Sequence, residues 1–236
     1  FELSGAECRT RNFCPNGPFA LSFSTPVKGA ELLRHLTVLP KVDFSISDTA
    51  DISDRWIVSA QLKPRTGYLV RVDSTLKDTF GQTFTGNPVR AFGTTGYRPD
   101  VSYAEGRTMV ERMGRRTFGI TYVNVDTLEV LTIPVPDSLE GRFLSRSAYT
   151  WGDQWKALAT TAVRKRIPVG AARDRVSLFG YELPAPDAGR PGTPTLFMLR
   201  ATSPRLKSPD TSDAALEPRQ PIALVQVTDL GVHAKI

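Results

Sequence analysis

Between residues 18 and 96, apolar side chains recur at every second position in short runs separated by polar or proline-containing breaks. Phe19, Leu21 and Phe23 alternate with small residues, which places the three large side chains on one face of a strand. Thr25-Pro26 is expected to end it. Residues 30–35 suit one or two helical turns. Further alternating or β-branched runs predict strands at 36–40, 42–46, 56–60, 67–72 and 90–94. Short strands recurring every 8 to 15 residues or so over about 80 residues are the pattern of a β-sandwich.

Residues 96–100 mark a boundary, and a second β region follows. The runs 107–111 and 117–123 flank Met113-Gly114-Arg115-Arg116 and read as a hairpin. Residues 128–135 read as a strand, as do 174–179 and 194–200. One helix is predicted over 147–164, where Tyr149, Trp155, Leu158, Ala159 and Ala162 form an apolar stripe at helical spacing. Basic residues near its end suit the helix dipole, and Pro168 prevents continuation. The segments 183–192 and 202–220 read as loops, the second poor in apolar residues. The run 222–227 is an apolar strand entering a turn at Thr228-Asp229-Leu230-Gly231. The expected fold is mainly β: two consecutive β-sandwich domains, 1–96 and 97–236, the second with one inserted α-helix.

Composition changes this picture little. The 236 residues are 40% hydrophobic and 23% charged, with 18 Gly and 18 Pro scattered without a period, as many turns would require. Nothing approaches eighteen consecutive apolar residues, so no membrane-spanning helix is expected. The start, Phe1-Glu2-Leu3, has neither a basic nor an apolar leader region and reads as a fragment beginning inside a longer protein. The net charge of +6 raises a nucleic-acid reading. Its basic residues are dispersed, however, with local knots only at 112–116 and 164–166, and no basic face with interleaved aromatics is apparent. Nucleic acid is not an expected partner.

Chemistry-bearing patterns are sparse. The chain contains no G-x-S-x-G, Walker A, G-x-G-x-x-G or H-E-x-x-H motif. His35 and His233 lie far apart in sequence, and neither sits in a catalytic or zinc-ligand spacing. Asp43, Asp48, Asp51 and Asp54 form one acidic cluster of the kind that can hold calcium, although the spacing is not that of an EF-hand and plain turns use the same residues. No catalytic residue, cofactor or metal site is therefore predicted. Cys8 and Cys14, close together in a turn-rich setting, suggest a small disulfide loop and an oxidising compartment. Two free thiols, or a bond to a cysteine outside the fragment, are the alternatives.

The runs F-S-T-P-V, L-T-V-L-P, L-K-P-R-T-G-Y-L-V-R-V, L-K-D-T-F-G-Q-T-F and A-F-G-T-T, in that order, resemble bacterial Ig-like domains of the Big-5 type. Within them Tyr68 follows a turn, and Asp78 and Gly81 form an Asp-x-x-Gly turn ahead of the last strand. Met109-Val110-Glu111-Arg112, the strand at 122–125, the inserted helix, the strand around Phe197 and the closing V-T-D-L-G are similar in order to the early macroglobulin domains of bacterial α2-macroglobulins. The resemblance runs from about Phe19 to the end. It implies an Ig-like domain followed by a macroglobulin-like domain, together a non-catalytic scaffold fragment of a periplasmic, broad-spectrum protease-trapping inhibitor. The family's bait segment and its Cys-x-Glu-Gln thioester would lie outside the fragment. Partners would be other domains of the same chain and, through those outside regions, target proteases. Any membrane anchor would also lie outside, and the location would be the periplasm or cell envelope. Two rival expectations are an Ig-like module of a cell-surface adhesin, which requires an exposed apolar or aromatic patch, and a carbohydrate-binding accessory domain, which requires exposed tryptophans.

Overall fold

Alternation is converted into strands through most of the first ninety or so residues. The computed structural model describes residues 1–10, 13–112, 115–145, 151–170, 172–184, 195–206 and 222–228. The chain divides into two units, Phe1–Tyr97 and Arg98–Ile236.

In the first unit, β1 (Leu3–Cys8), β2 (Phe19–Lys28), β4 (Phe44–Ile46) and β5 (Ile52–Ala60) form one antiparallel sheet in the order β1-β2-β5-β4. The other sheet is β3 (Leu36–Leu39), β6 (Gly67–Val72) and β7 (Val89–Gly93), in that order. Phe19, Leu21, Trp56 and Val58 of the first sheet enclose a core with Val38, Tyr68, Val70 and Val72 of the second. Pro26 does not end β2. The strand runs on to Lys28, and the pairing with β5 shifts register between Ser22 and Val27, an irregularity that tolerates a residue without an amide proton. Helix α1 (Gly29–His35) then crosses to β3. A side chain at Gly29 would collide with the Trp56 ring at 2.7 Å, so only glycine lets the helix start against that tryptophan.

The Asp78-x-x-Gly81 turn forms as its sequence requires. Gly81 sits at φ 81° and donates its amide to the Asp78 carbonyl at 3.1 Å. Asp78 Oδ1 accepts the amides of Phe80 (3.0 Å) and Gln82 (2.8 Å), while Oδ2 accepts from Thr25 Oγ1 at 2.9 Å, fastening the turn to β2.

The second unit has three layers. A sheet of β8 (Asp100–Tyr103), β10 (Thr117–Val123) and β13 (Ser177–Glu182), in the order β13-β10-β8, faces a five-stranded sheet. That sheet contains β9 (Gly106–Glu111), β11 (Thr127–Pro134), β12 (Val163–Pro168), β14 (Leu196–Thr202) and β15 (Ala223–Thr228), in the order β12-β11-β14-β15-β9. Its far face is covered by α2 (Asp137–Leu144) and α3 (Trp151–Leu158), whose Phe143, Trp151 and Trp155 pack on Ile133, Met198 and Leu224. Strand β14 is buried on both faces, Phe197 and Leu199 toward one layer and Leu196 and Met198 toward the other. The apolar run Leu196–Leu199 follows from that. Asn124 (φ 53°) and Asp174 (φ 57°) both adopt left-handed backbone and clasp each other: Asn124 Nδ2 donates to Asp174 Oδ1, and the Asp174 amide donates to Asn124 Oδ1.

Two expectations change here. Residues 107–111 and 117–123 are not a hairpin. Strand β9 pairs in parallel with β15 at the far end of the chain, and β10 joins the other sheet. The single helix expected over 147–164 is shorter and accompanied. Helix α3 ends at Leu158, a 3-10 turn covers Ala159–Thr161, and Val163 and Arg164 already belong to β12. A second helix, α2, precedes it. The expected turn residues Met113 and Gly114, Tyr149, the loop at 185–192, the segment 207–220, the Asp229–Gly231 turn and His233 lie outside the described residues. No helix among the described residues is long and apolar enough to cross a membrane.

Candidate functional site

Cys8 ends β1 and Cys14 lies where the loop returns toward β2; the two are joined by a disulfide with Cα atoms 5.9 Å apart. Both are buried. The loop is pinned at its base: Arg9 N donates to Pro18 O at 3.1 Å, Cys14 N to Thr95 Oγ1 at 2.8 Å, and Thr95 N back to Cys14 O at 3.0 Å. The bridge therefore fastens the start of the first unit to the residues following β7. A loop this short removes little denatured-state entropy, so replacing both cysteines with alanine is expected to cost about 2 kcal/mol. Urea unfolding measures it, and an unmoved midpoint would show that the hydrogen bonds hold the loop without the bridge.

An open cleft of about 470 Å³ lies beside α1, lined by Lys28, Glu31, His35, Ile52, Lys77 and Asp78. His35 is part of the frame: Nδ1 lies 2.8 Å from the Glu31 carbonyl, and its own carbonyl accepts the Asp73 amide at 2.9 Å. Glu31 is paired with Arg34. Burial acts to raise the pKa of Asp78, but the hydrogen bonds from Gln82, Thr25 and Phe80 outweigh it and hold the carboxyl below its ordinary value. Asp73 is also lowered, chiefly by the amide and hydroxyl of Thr75. These carboxylates are hydrogen-bond acceptors in turns, and a general base would need the opposite shift.

A depressed folded-state pKa has a defined consequence for stability. The contribution of Asp78 is complete above its unfolded value, near 3.8, and is lost as pH falls through the lower folded value. Asp78→Asn is therefore expected to lower stability at neutral pH and to flatten its decline below about pH 4. Thermal unfolding from pH 2 to 7 checks this, and parallel curves for the two proteins would refute it.

Asp43, Asp48, Asp51 and Asp54 are all exposed, and two of them accept local backbone amides. Asp48 accepts the amide of Ala50, and Asp51 accepts the amide of Ile52. Among the described residues, no three or more His, Cys, Asp or Glu side chains are grouped as a metal site.

In the second unit the polar groups of the interior serve packing. Glu129, only 2% exposed, accepts from Arg166 Nε at 2.7 Å, and Thr132 Oγ1 lies 3.0 Å from the Tyr181 hydroxyl. Arg200 stacks over the Trp155 ring at 4.5 Å. Burial pushes the Tyr103 hydroxyl up to about 12 despite its bond with the Ala201 backbone and the nearby Arg200 charge. Trp56, Trp151 and Trp155 are all buried, so no tryptophan offers the exposed platform that the carbohydrate-binding expectation needs. The knot Arg164-Lys165-Arg166, expected near a helix end, lies instead on the edge strand β12. The cleft at α1 was not legible in advance, because its walls come from segments some forty residues apart that carry no shared motif.

No protein-family profile matches the chain, and no curated protein does. Solved structures do. A crystal structure of a Salmonella alpha-2-macroglobulin mutant is 15% identical, with a TM-score of 0.60, over 96% of this chain and 13% of that one. The Salmonella protein reacted with methylamine gives the same values. An Escherichia coli alpha-2-macroglobulin fragment is 17% identical over 95% of this chain and 71% of that one, with a TM-score of 0.41. At these identities the likeness is one of fold, and the chain spans about an eighth of the Salmonella protein's length.

Proposed function

We propose that this chain is a non-catalytic scaffold segment of a bacterial α2-macroglobulin, a broad-spectrum protease-trapping inhibitor of the periplasm or cell envelope. The observation that supports the reading is the superposition over 96% of the chain, which takes in both β units in order. The Cys8–Cys14 disulfide fits an exported location. In this role the two units contribute rigid sheet layers and surfaces for neighbouring domains, while the bait segment and any thioester belong to other parts of the protein. The test uses the whole protein that carries this chain, mixed with trypsin. Cleavage of a large protein substrate should fall while cleavage of a small peptide substrate persists. Equal loss or equal retention of both activities would contradict protease trapping.

A second reading, an Ig-like module of a surface adhesin, has one observation in its favour. Leu39 and Leu69 are cross-strand partners on the outer face of the β3-β6-β7 sheet, and each is nearly half exposed. Under that reading Leu69→Asp abolishes attachment to a host or envelope ligand. Under the scaffold reading there is no such attachment to lose.

A further inference from the structure

Strand β12, Val-Arg-Lys-Arg-Ile-Pro, is an edge of the five-stranded sheet. Among the described residues no strand pairs with its outer side. Five of its six residues are exposed. An edge of this kind presents a row of backbone donors and acceptors to any extended chain that can approach it. Its side chains decide which chain that can be. Pairing with β11 places Arg164 opposite Leu131, Lys165 opposite Val130 and Arg166 opposite Glu129. Successive cations thus point to opposite faces of the sheet and flank the open edge on both sides. Arg166 is engaged by Glu129 and Lys165 lies 5.6 Å from the Tyr181 ring centroid, whereas Arg164 has no ion partner among the described residues. From Trp155 to Ala172 the sequence holds four cations and no acidic residue.

We propose that β12 is a docking edge for an extended acidic segment of a partner polypeptide, which adds to the five-stranded sheet as a sixth strand. Three consecutive cations repel a basic strand and leave an uncharged one without compensation for their desolvation, so the edge is closed to most strands. A strand with carboxylates on successive residues meets Arg164, Lys165 and Arg166 on their own faces, and flanking β-branched residues match Val163 and Ile167. The backbone ladder then supplies affinity and the charges supply selectivity.

The test mixes the 236-residue chain with a synthetic peptide of three consecutive glutamates flanked by valines, with binding read by calorimetry. A copy of the peptide N-methylated at alternate residues keeps every charge but cannot complete the ladder. The proposal expects the plain peptide to bind, the N-methylated copy to bind at least tenfold more weakly, and Arg164→Glu to weaken the plain peptide by tenfold or more. Arg164→Glu removes no observed ion pair, and an unchanged melting temperature verifies its fold. If that variant fails to fold, the comparison of the two peptides on the unaltered chain decides alone. No binding, equal binding of both peptides, or equal binding of a single-stranded oligonucleotide of matched charge would overturn strand addition.

Discussion

Replacing Tyr68 with alanine is expected to destabilise the first unit by about 3–5 kcal/mol, the range for deleting a large aromatic ring from a packed core. Tyr68 is 2% exposed. Its ring stacks on Phe92 with centroids 5.6 Å apart, and Phe92 stacks in turn on Phe19 at 4.9 Å, so one column of rings ties β6 to β7 and across the sandwich to β2. Its hydroxyl accepts the Lys63 amide at 2.8 Å, which holds the loop between β5 and β6. Tyr68→Phe separates the two contributions. It keeps the column, leaves the amide without its acceptor and should cost about 1–2 kcal/mol. Hydrogen exchange of the β2 and β6 amides reads both variants, and a Tyr68→Ala protein with unchanged protection would remove the column from the account.

Trp151→Ala should have an effect of similar size on the second unit, again about 3–5 kcal/mol. Trp151 is 1% exposed and belongs to the cluster that joins α2 and α3 to the far face of the five-stranded sheet, with Phe143, Ile133, Leu196 and Met198. Without it that face loses its largest cover, and Met198 and Leu224 would meet water. The control is Leu178→Thr. Leu178 stands 74% exposed on the outer side of β13, and its replacement should change stability by no more than about 0.5 kcal/mol. Urea unfolding of the two variants gives the contrast, and comparable losses would mean that the helices do not form a packed layer.

Where a strand buries one face, its period is written in its residues, and Phe19, Leu21 and Phe23 or Tyr68, Val70 and Val72 could be read directly. The Asp78–Gly81 turn was equally legible, because only certain residues suit that backbone. Strand β1 was not, since Leu-Ser-Gly-Ala-Glu-Cys has too little apolar bulk to register although Leu3 and Cys8 are buried. Strand β12 was hidden for the converse reason. An exposed edge needs no apolar alternation, and its cations resembled the end of a helix. The pairing of β9 with β15 joins residues more than a hundred positions apart, a relation that no local pattern carries. Helix α2 was obscured by Pro134, Pro136 and Gly141, although Pro136-Asp137 is a reasonable helix start and Leu139 and Phe143 share its buried side. Of the candidate site residues, the two cysteines were readable from their spacing. The cleft at α1 depends on how loops converge in space and had no sequence signal.

Under the proposed scaffold role this chain carries none of the reactive parts of a protease trap. Trypsin incubated with an excess of the 236-residue chain, assayed on a large protein substrate and then run on a denaturing gel, tests it most directly. Full proteolytic activity and no covalent adduct between the chain and the protease are expected. Inhibition by this chain alone, or a conjugate that survives denaturation, would contradict it.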